Sequence, residues 1–270
     1  MANLRLGDGK RIYYESYQGS PLTVVLIHGW GMSGRVWDRT LIALRKEGYG
    51  VVTFDHRCCG RSDKDFDTVR ISDLAADAAA IVETLGLERV VLSGWSLGGA
   101  VAVEAAQLLG AKCAGLVLTC GASPRYAKTS DFPYGTKLDE VKATVAELTA
   151  NRPAFLRSIA AAAFANSPDP AVFEWFWSIF MQAGPSADTA LLDLVQVEQR
   201  AALTSLAVPI LVFGGARDNF VSIDIARSAA RVARNARLVV YENCGHVPFI
   251  EEAESYHAEL LSYLSAIAAR

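Results

Sequence analysis

Ser96 lies in Gly94-Trp95-Ser96-Leu97-Gly98, between an apolar run, Val90-Val91-Leu92, and a stretch of small residues from Gly98 to Ala106. Strand, one-residue turn and helix in that order are what a nucleophilic serine needs. The sharp turn strains the residue and lifts its Oγ above the sheet. Glycine at 94 and 98 lets strand and helix approach closely. The new helix aims its first N–H groups and the positive end of its dipole at the place where an oxyanion would form. A serine hydroxyl is a weak nucleophile, so it needs a base, and the base needs an orienting group. Of the four histidines, His28, His56, His246 and His257, only His246 sits in a loop after the last predicted strand, Asn243-Cys244-Gly245-His246-Val247-Pro248-Phe249. A lone histidine is ordinarily a hydrogen-bonded structural residue; position is what favours His246 as the base. The acid is Asp218, in Gly214-Gly215-Ala216-Arg217-Asp218-Asn219-Phe220-Val221, because the competing loop, Cys120 to Arg125, holds no carboxylate. The expected catalytic set is therefore Ser96, Asp218 and His246, attacking an acyl carbon to form an acyl-enzyme. Two backbone N–H groups must meet the developing oxyanion. Leu97 supplies one and Trp30, in His28-Gly29-Trp30-Gly31-Met32, the other; His28 shapes that loop.

The elements that position these residues are legible as apolar runs. Arg11–Tyr17 reads as an antiparallel edge strand. Residues 23–27, 51–54, 89–92, 115–119, 209–213 and 237–241 read as strands. They are continuous rather than alternating, as in parallel strands covered on both faces. Ser72 is the expected cap of a helix carrying Leu74, Ala78, Ile81, Val82 and Leu85, closed by Gly86. Strand–helix alternation gives an α/β fold with a doubly wound sheet. From Ser123 to Leu206 the alternation stops. Asp169 and Pro170 mark a helix start there, and the aromatic stretch Phe173, Trp175, Phe176, Trp177 and Phe180 follows. The expected organisation is a core of residues 1–122 and 207–270 with a helical cap, 123–206, over the C-terminal strand ends.

Composition narrows the function. The chain has 270 residues, 51% of them hydrophobic, and a formal net charge of −3, which suits one large domain. Scattered basic residues leave no nucleic-acid footprint. No run of about eighteen apolar residues predicts a membrane span, and no signal-peptide pattern is visible. Five cysteines, with Cys58 and Cys59 adjacent, do not form a disulfide framework, so a cytoplasmic setting is expected. His56 lacks partners at ligand spacing, so no metal is expected, and the triad chemistry needs no cofactor. Cys244, near His246, reads as a small buried hydrophobe rather than a nucleophile.

His28-Gly29-Trp30-Gly31, Asp55-His56-Arg57-Cys58-Cys59-Gly60-Arg61-Ser62, Gly94 to Gly99, Gly215 to Asp218 and Gly245 to Pro248 together resemble the motif blocks of the α/β-hydrolase superfamily, in its order and across nearly the whole chain. Within it the sequence is similar to small carboxylesterases, pimeloyl-ester esterases, enol-lactonases and cofactor-free haloperoxidases. The resemblance implies a mostly parallel eight-stranded sheet flanked by helices. The second block departs from that family's D-x-R-G-x-G-x-S, with Cys58 at the first glycine. The implied partner is a small, largely apolar ester or lactone. Trp30, Trp95, Trp175, Trp177 and Phe180 are the expected pocket lining, with Phe132, Tyr134, Phe155 and Phe164 as additions, although cap core explains part of the aromatic cluster. Serine at the elbow separates this chain from dehalogenases and epoxide hydrolases, which carry Asp there. Perhydrolase, amidase, thioesterase and carbon–carbon hydrolase chemistry use the same triad, and a non-catalytic binding module on the same fold is the alternative from a different class. The oligomeric state is left open.

Overall fold

The computed structural model describes residues 2–20 and 22–270. Its strands are β1 (Ala2–Arg5), β2 (Arg11–Tyr17), β3 (Thr23–Ile27), β4 (Gly50–Phe54), β5 (Val90–Trp95), β6 (Cys113–Thr119), β7 (Ile210–Gly215) and β8 (Ala236–Tyr241). They form one sheet in the order β1-β2-β4-β3-β5-β6-β7-β8. Only β1–β2 and β2–β4 pair antiparallel; the remaining pairs are parallel. β3, β4 and β5 are buried at every position, the mark of strands covered on both faces. The sheet edge is β1, a short strand of alternating exposure that composition alone does not betray. Arg11–Tyr17 is therefore one strand in from the edge where the sequence puts it.

The helices are α1 (Asp38–Lys46), α2 (Ile71–Thr84), α3 (Leu97–Leu109), α4 (Leu138–Ala162), α5 (Pro170–Phe180), α6 (Thr189–Leu194), α7 (Arg200–Ser205), α8 (Ile223–Val232), α9 (Pro248–Glu251) and α10 (Ala253–Ala268). α4 to α7 all fall between β6 and β7, where the alternation lapses. α5 starts as its sequence dictates, with the Asp169 carboxylate accepting from Ala171 N–H and Pro170 at the first turn. α2 starts earlier than its serine suggests. Arg70 is the N-cap, its N–H donating to Asp73 Oδ2, and Ser72 lies inside the first turn. The Asp193 carboxylate, at the end of α6, accepts from Ile71 N–H, so a partner 122 residues away in sequence sets that boundary. Among the described residues no helix is long and apolar enough to cross a membrane.

Candidate active site

Ser96 joins β5 to α3 with φ +57° and ψ −125°, a conformation that non-glycine residues seldom adopt. Packing enforces it. A Cβ on Gly94 would lie 2.1 Å from Gly98 O, and one on Gly98 would lie 2.4 Å from Ile27 O. Strand and helix thus approach as closely as backbone permits, as the two glycines predict. The Ser96 carbonyl accepts from Gly99 N–H and Ala122 N–H, fixing the turn on its far side.

β7 and β8 deliver the other two groups. Asp218 Oδ1 accepts from the N–H groups of Phe220 (2.8 Å) and Val221 (3.0 Å), and Oδ2 lies 2.7 Å from His246 Nδ1. Both side chains are nearly inaccessible, 1% for Asp218 and 6% for His246. This is a fully satisfied carboxylate fixing one imidazole nitrogen, which leaves Nε2 as the free one. Among the described residues neither Nε2 nor Ser96 Oγ hydrogen-bonds to protein. Ser96 and His246 line the same cavity of about 510 Å³, together with Trp30, Trp95 and Leu97.

The loop that follows β3 folds over the elbow because Gly29 has no side chain: a Cβ there would sit 3.1 Å from Ser96 Cβ. The His28–His56 pair holds this loop. His28 Nε2 accepts from His56 N–H, His28 Nδ1 lies 2.7 Å from Gly29 O, and His56 Nε2 lies 3.0 Å from His28 O. His28 is thus a shaping residue, as its sequence position suggests. Among the described residues the N–H groups of Trp30 and Leu97 have no protein acceptor.

The C-terminal end of α4 is clasped by the loops that follow β7 and β8. His246 N–H donates to Ala163 O, Asn219 Nδ2 donates to Ala162 O, and Glu251 accepts from Gly245 N–H and Ala165 N–H. Glu251 has no sequence signal for this role, because its partners lie 6 and 86 residues away.

The aromatic residues divide. Trp30, Trp95 and Phe180 line the cavity, and so do Phe155 and Phe176. Trp175 and Trp177 do not, contrary to the sequence expectation, and Phe132, Tyr134 and Phe164 are absent from the lining as well. The phase of α5 decides this. Phe176 and Phe180, one turn apart, are buried toward the sheet, whereas Trp177 lies beneath the Arg157 guanidinium, 4.5 Å from its ring centre. Tyr126, Glu140 and Leu191 join the lining without any motif to announce them, and so does Phe220, two residues after Asp218.

Cys120, Asp218 and His246 each present a possible ligand atom within 4.8 Å of the others. They are engaged with one another and with the backbone rather than arranged around a cation. The carboxylate and Nδ1 already bond to each other, and burial followed by the Asp218 charge pushes the Cys120 thiol well above its ordinary range. All five cysteines are unpaired and buried. Burial also pushes the Cys244 thiol up, which suits an inert packing residue rather than a thiolate nucleophile.

The family model for the alpha/beta hydrolase fold matches residues 23–253. The bifunctional esterase/perhydrolase of Acinetobacter calcoaceticus is 30% identical over 268 residues, covering 95% of this chain and 97% of the relative. A pimeloyl-[acyl-carrier protein] methyl ester esterase of Aliivibrio fischeri is 27% identical, covering 94% and 97%. An esterase from Exiguobacterium antarcticum superposes with a TM-score of 0.93 at 27% identity, covering 97% of this chain and 98% of the other. The chain belongs to the alpha/beta hydrolase fold family, and it is a hydrolase at that level of description.

Proposed function

We propose that the protein is a serine hydrolase that cleaves a carboxylic ester or lactone of a small, largely apolar substrate through an acyl-enzyme. The observation that carries this reading is the Asp218–His246 pair, 2.7 Å apart, opening onto the same cavity as a serine held at φ +57°. His246 Nε2 takes the Ser96 proton as Oγ bonds to the acyl carbon. The oxyanion accepts from Trp30 N–H and Leu97 N–H, and the imidazolium stabilised by Asp218 returns the proton to the leaving alkoxide. Water, deprotonated by the same nitrogen, then releases the acid. Residues 123–206 act as the cap that sets substrate choice, with Phe176 and Phe180 facing the acyl group.

The names carried by relatives, esterase and esterase/perhydrolase among them, support ester chemistry. They also favour a second reading, in which hydrogen peroxide replaces water at the acyl-enzyme to give a peracid. Both readings require acylation of Ser96. A fluorophosphonate probe is expected to label the wild type and not Ser96→Ala; labelling that survives the substitution overturns both. Product analysis with aryl esters and a lactone panel, with and without peroxide, separates them.

A further inference from the structure

The cavity has one wall that the triad does not use. Tyr126 and Glu140 both line it, brought together by the loop before α4. Thr136 N–H donates to Tyr126 O, and Thr136 Oγ1 donates to Glu140 Oε2. Lys137 N–H donates to that same Glu140 oxygen, which leaves Oε1 without a protein donor among the described residues. The Tyr126 hydroxyl also makes no hydrogen bond to protein among them, although the ring is largely buried. A phenol in the cavity wall with no protein partner is free to donate to a ligand atom. Trp30, Phe176 and Phe180 give the same cavity an aromatic part of its lining.

We propose that Tyr126 and Glu140 form a polar subsite selecting substrates that carry an uncharged group able both to accept and to donate, an amide or a hydroxyl, and disfavouring those with a second carboxylate. The proposal rests on the ester-hydrolase reading given above and deepens it. The phenol donates to the amide carbonyl or hydroxyl oxygen, and Glu140 Oε1 accepts from the amide N–H or hydroxyl O–H. A carboxylate in the same place has no proton for Glu140 and meets like charge. Burial, then the charges of Asp218 and Glu140, push the Tyr126 phenol up to about 12, so it stays a donor through neutral and alkaline pH. The Lys137 N–H and the Thr136 hydroxyl hold the Glu140 carboxyl below its usual range, so it is ionised at neutral pH. A buried hydrogen bond is a strong discriminator because its loss leaves polar groups unpaired. The Glu140 side chain is exposed at the rim, so its charge is screened and its effect smaller.

The test uses the full chain and three sets of matched esters whose far end is a primary amide, a methyl group or a carboxylate, with that end placed on the acyl chain and, in parallel, on the alcohol. Tyr126→Phe keeps the ring, and Glu140→Gln keeps an acceptor for the α4 cap, so both variants preserve the local fold. In at least one series Tyr126→Phe is expected to lower the amide-to-methyl ratio of kcat/KM about tenfold. Glu140→Gln is expected to raise the carboxylate-to-methyl ratio about fivefold. Ratios that stay within twofold of wild type in both series overturn the polar subsite. Failure of the wild type to react with a fluorophosphonate probe, or to cleave any ester, overturns the underlying reading instead.

Discussion

Asp218 spends both carboxylate oxygens inside the fold, Oδ1 on two backbone N–H groups and Oδ2 on His246. An amide at this position keeps the shape but offers N–H where the imidazole needs an acceptor. Asp218→Asn is therefore expected to fold normally and to lose on the order of 10⁴ in kcat. Steady-state kinetics on an aryl ester, beside a circular dichroism melt, checks this; a variant with most of its activity would require another triad acid. At this scale the sequence is informative where chemistry demands one residue type. Ser96, Asp218 and His246 stand out because glycine spacing and loop position single them out. Glu251 stands out in nothing, since one of the backbone N–H groups it accepts from, that of Ala165, lies 86 residues away. Cys58 shows the opposite case. It occupies a turn at φ +63°, the left-handed conformation that explains why the related motif carries glycine there.

The strands are the elements most visible in the sequence, because burial on both faces leaves unbroken apolar runs; their observed ends differ from expectation by two residues or fewer apart from β5, which runs on to Trp95. β1 is missed because its exposure alternates at a sheet edge. α4 is missed because Pro153 interrupts it. The backbone leaves helical geometry at Asn151, φ −151°, and Asn151 Oδ1 accepts from Ala154 N–H to cap the second half. α5 is found, but four large aromatics in five residues conceal which face turns inward. Now that Phe176 and Phe180 are seen to line the cavity, Phe180→Ala is expected to change acyl-length or ring-size preference, whereas Trp175→Ala and Trp177→Ala leave it unaltered. A graded ester panel decides, after folding is checked, because truncating a buried phenylalanine costs about 3–5 kcal/mol. A changed preference in both tryptophan variants, with none in Phe180→Ala, would reverse the assignment. The close contact of α3 with β3 makes a second expectation. Gly98→Ala drives a Cβ to 2.4 Å from Ile27 O, at the end of β3, and 2.6 Å from His28 O, which the His56 ring holds. It should lower stability by at least about 3 kcal/mol. Gly7→Ala, which meets nothing within 4 Å, should stay within about 0.5 kcal/mol; comparable urea midpoints for the two would show that the elbow relaxes.

Across the whole molecule, the order of the motif blocks fixes the topology before any side chain is placed, and the coupling between distant loops is what stays hidden. The His28–His56 pair is one such coupling, joining the loops after β3 and β4. Burial pushes His56 down to about 4, and burial, then the neighbouring His56, hold His28 well below its ordinary range. Hydrogen bonding points the same way. His28 Nε2 accepts from His56 N–H, so a proton on that nitrogen would break the contact. Both rings are thus neutral in the folded state, whereas in the unfolded chain they protonate near 6.5. Between about pH 6.5 and 4 the unfolded state binds more protons, and stability must fall as pH falls. Each ring contributes up to about 1.4 kcal/mol per pH unit, or about 3 kcal/mol for the pair between pH 6.5 and 5. Asp55 and Asp77, whose carboxyls burial pushes up, act in the opposite sense. Urea unfolding at half-unit steps should show this decline. The imidazole proton resonances of His28 and His56 should stay at their neutral positions down to pH 5 in the folded protein. Titration of His28 and His56 near pH 6.5, with a flat stability profile, would show that the pair accepts protons without disturbing the loop that carries Trp30.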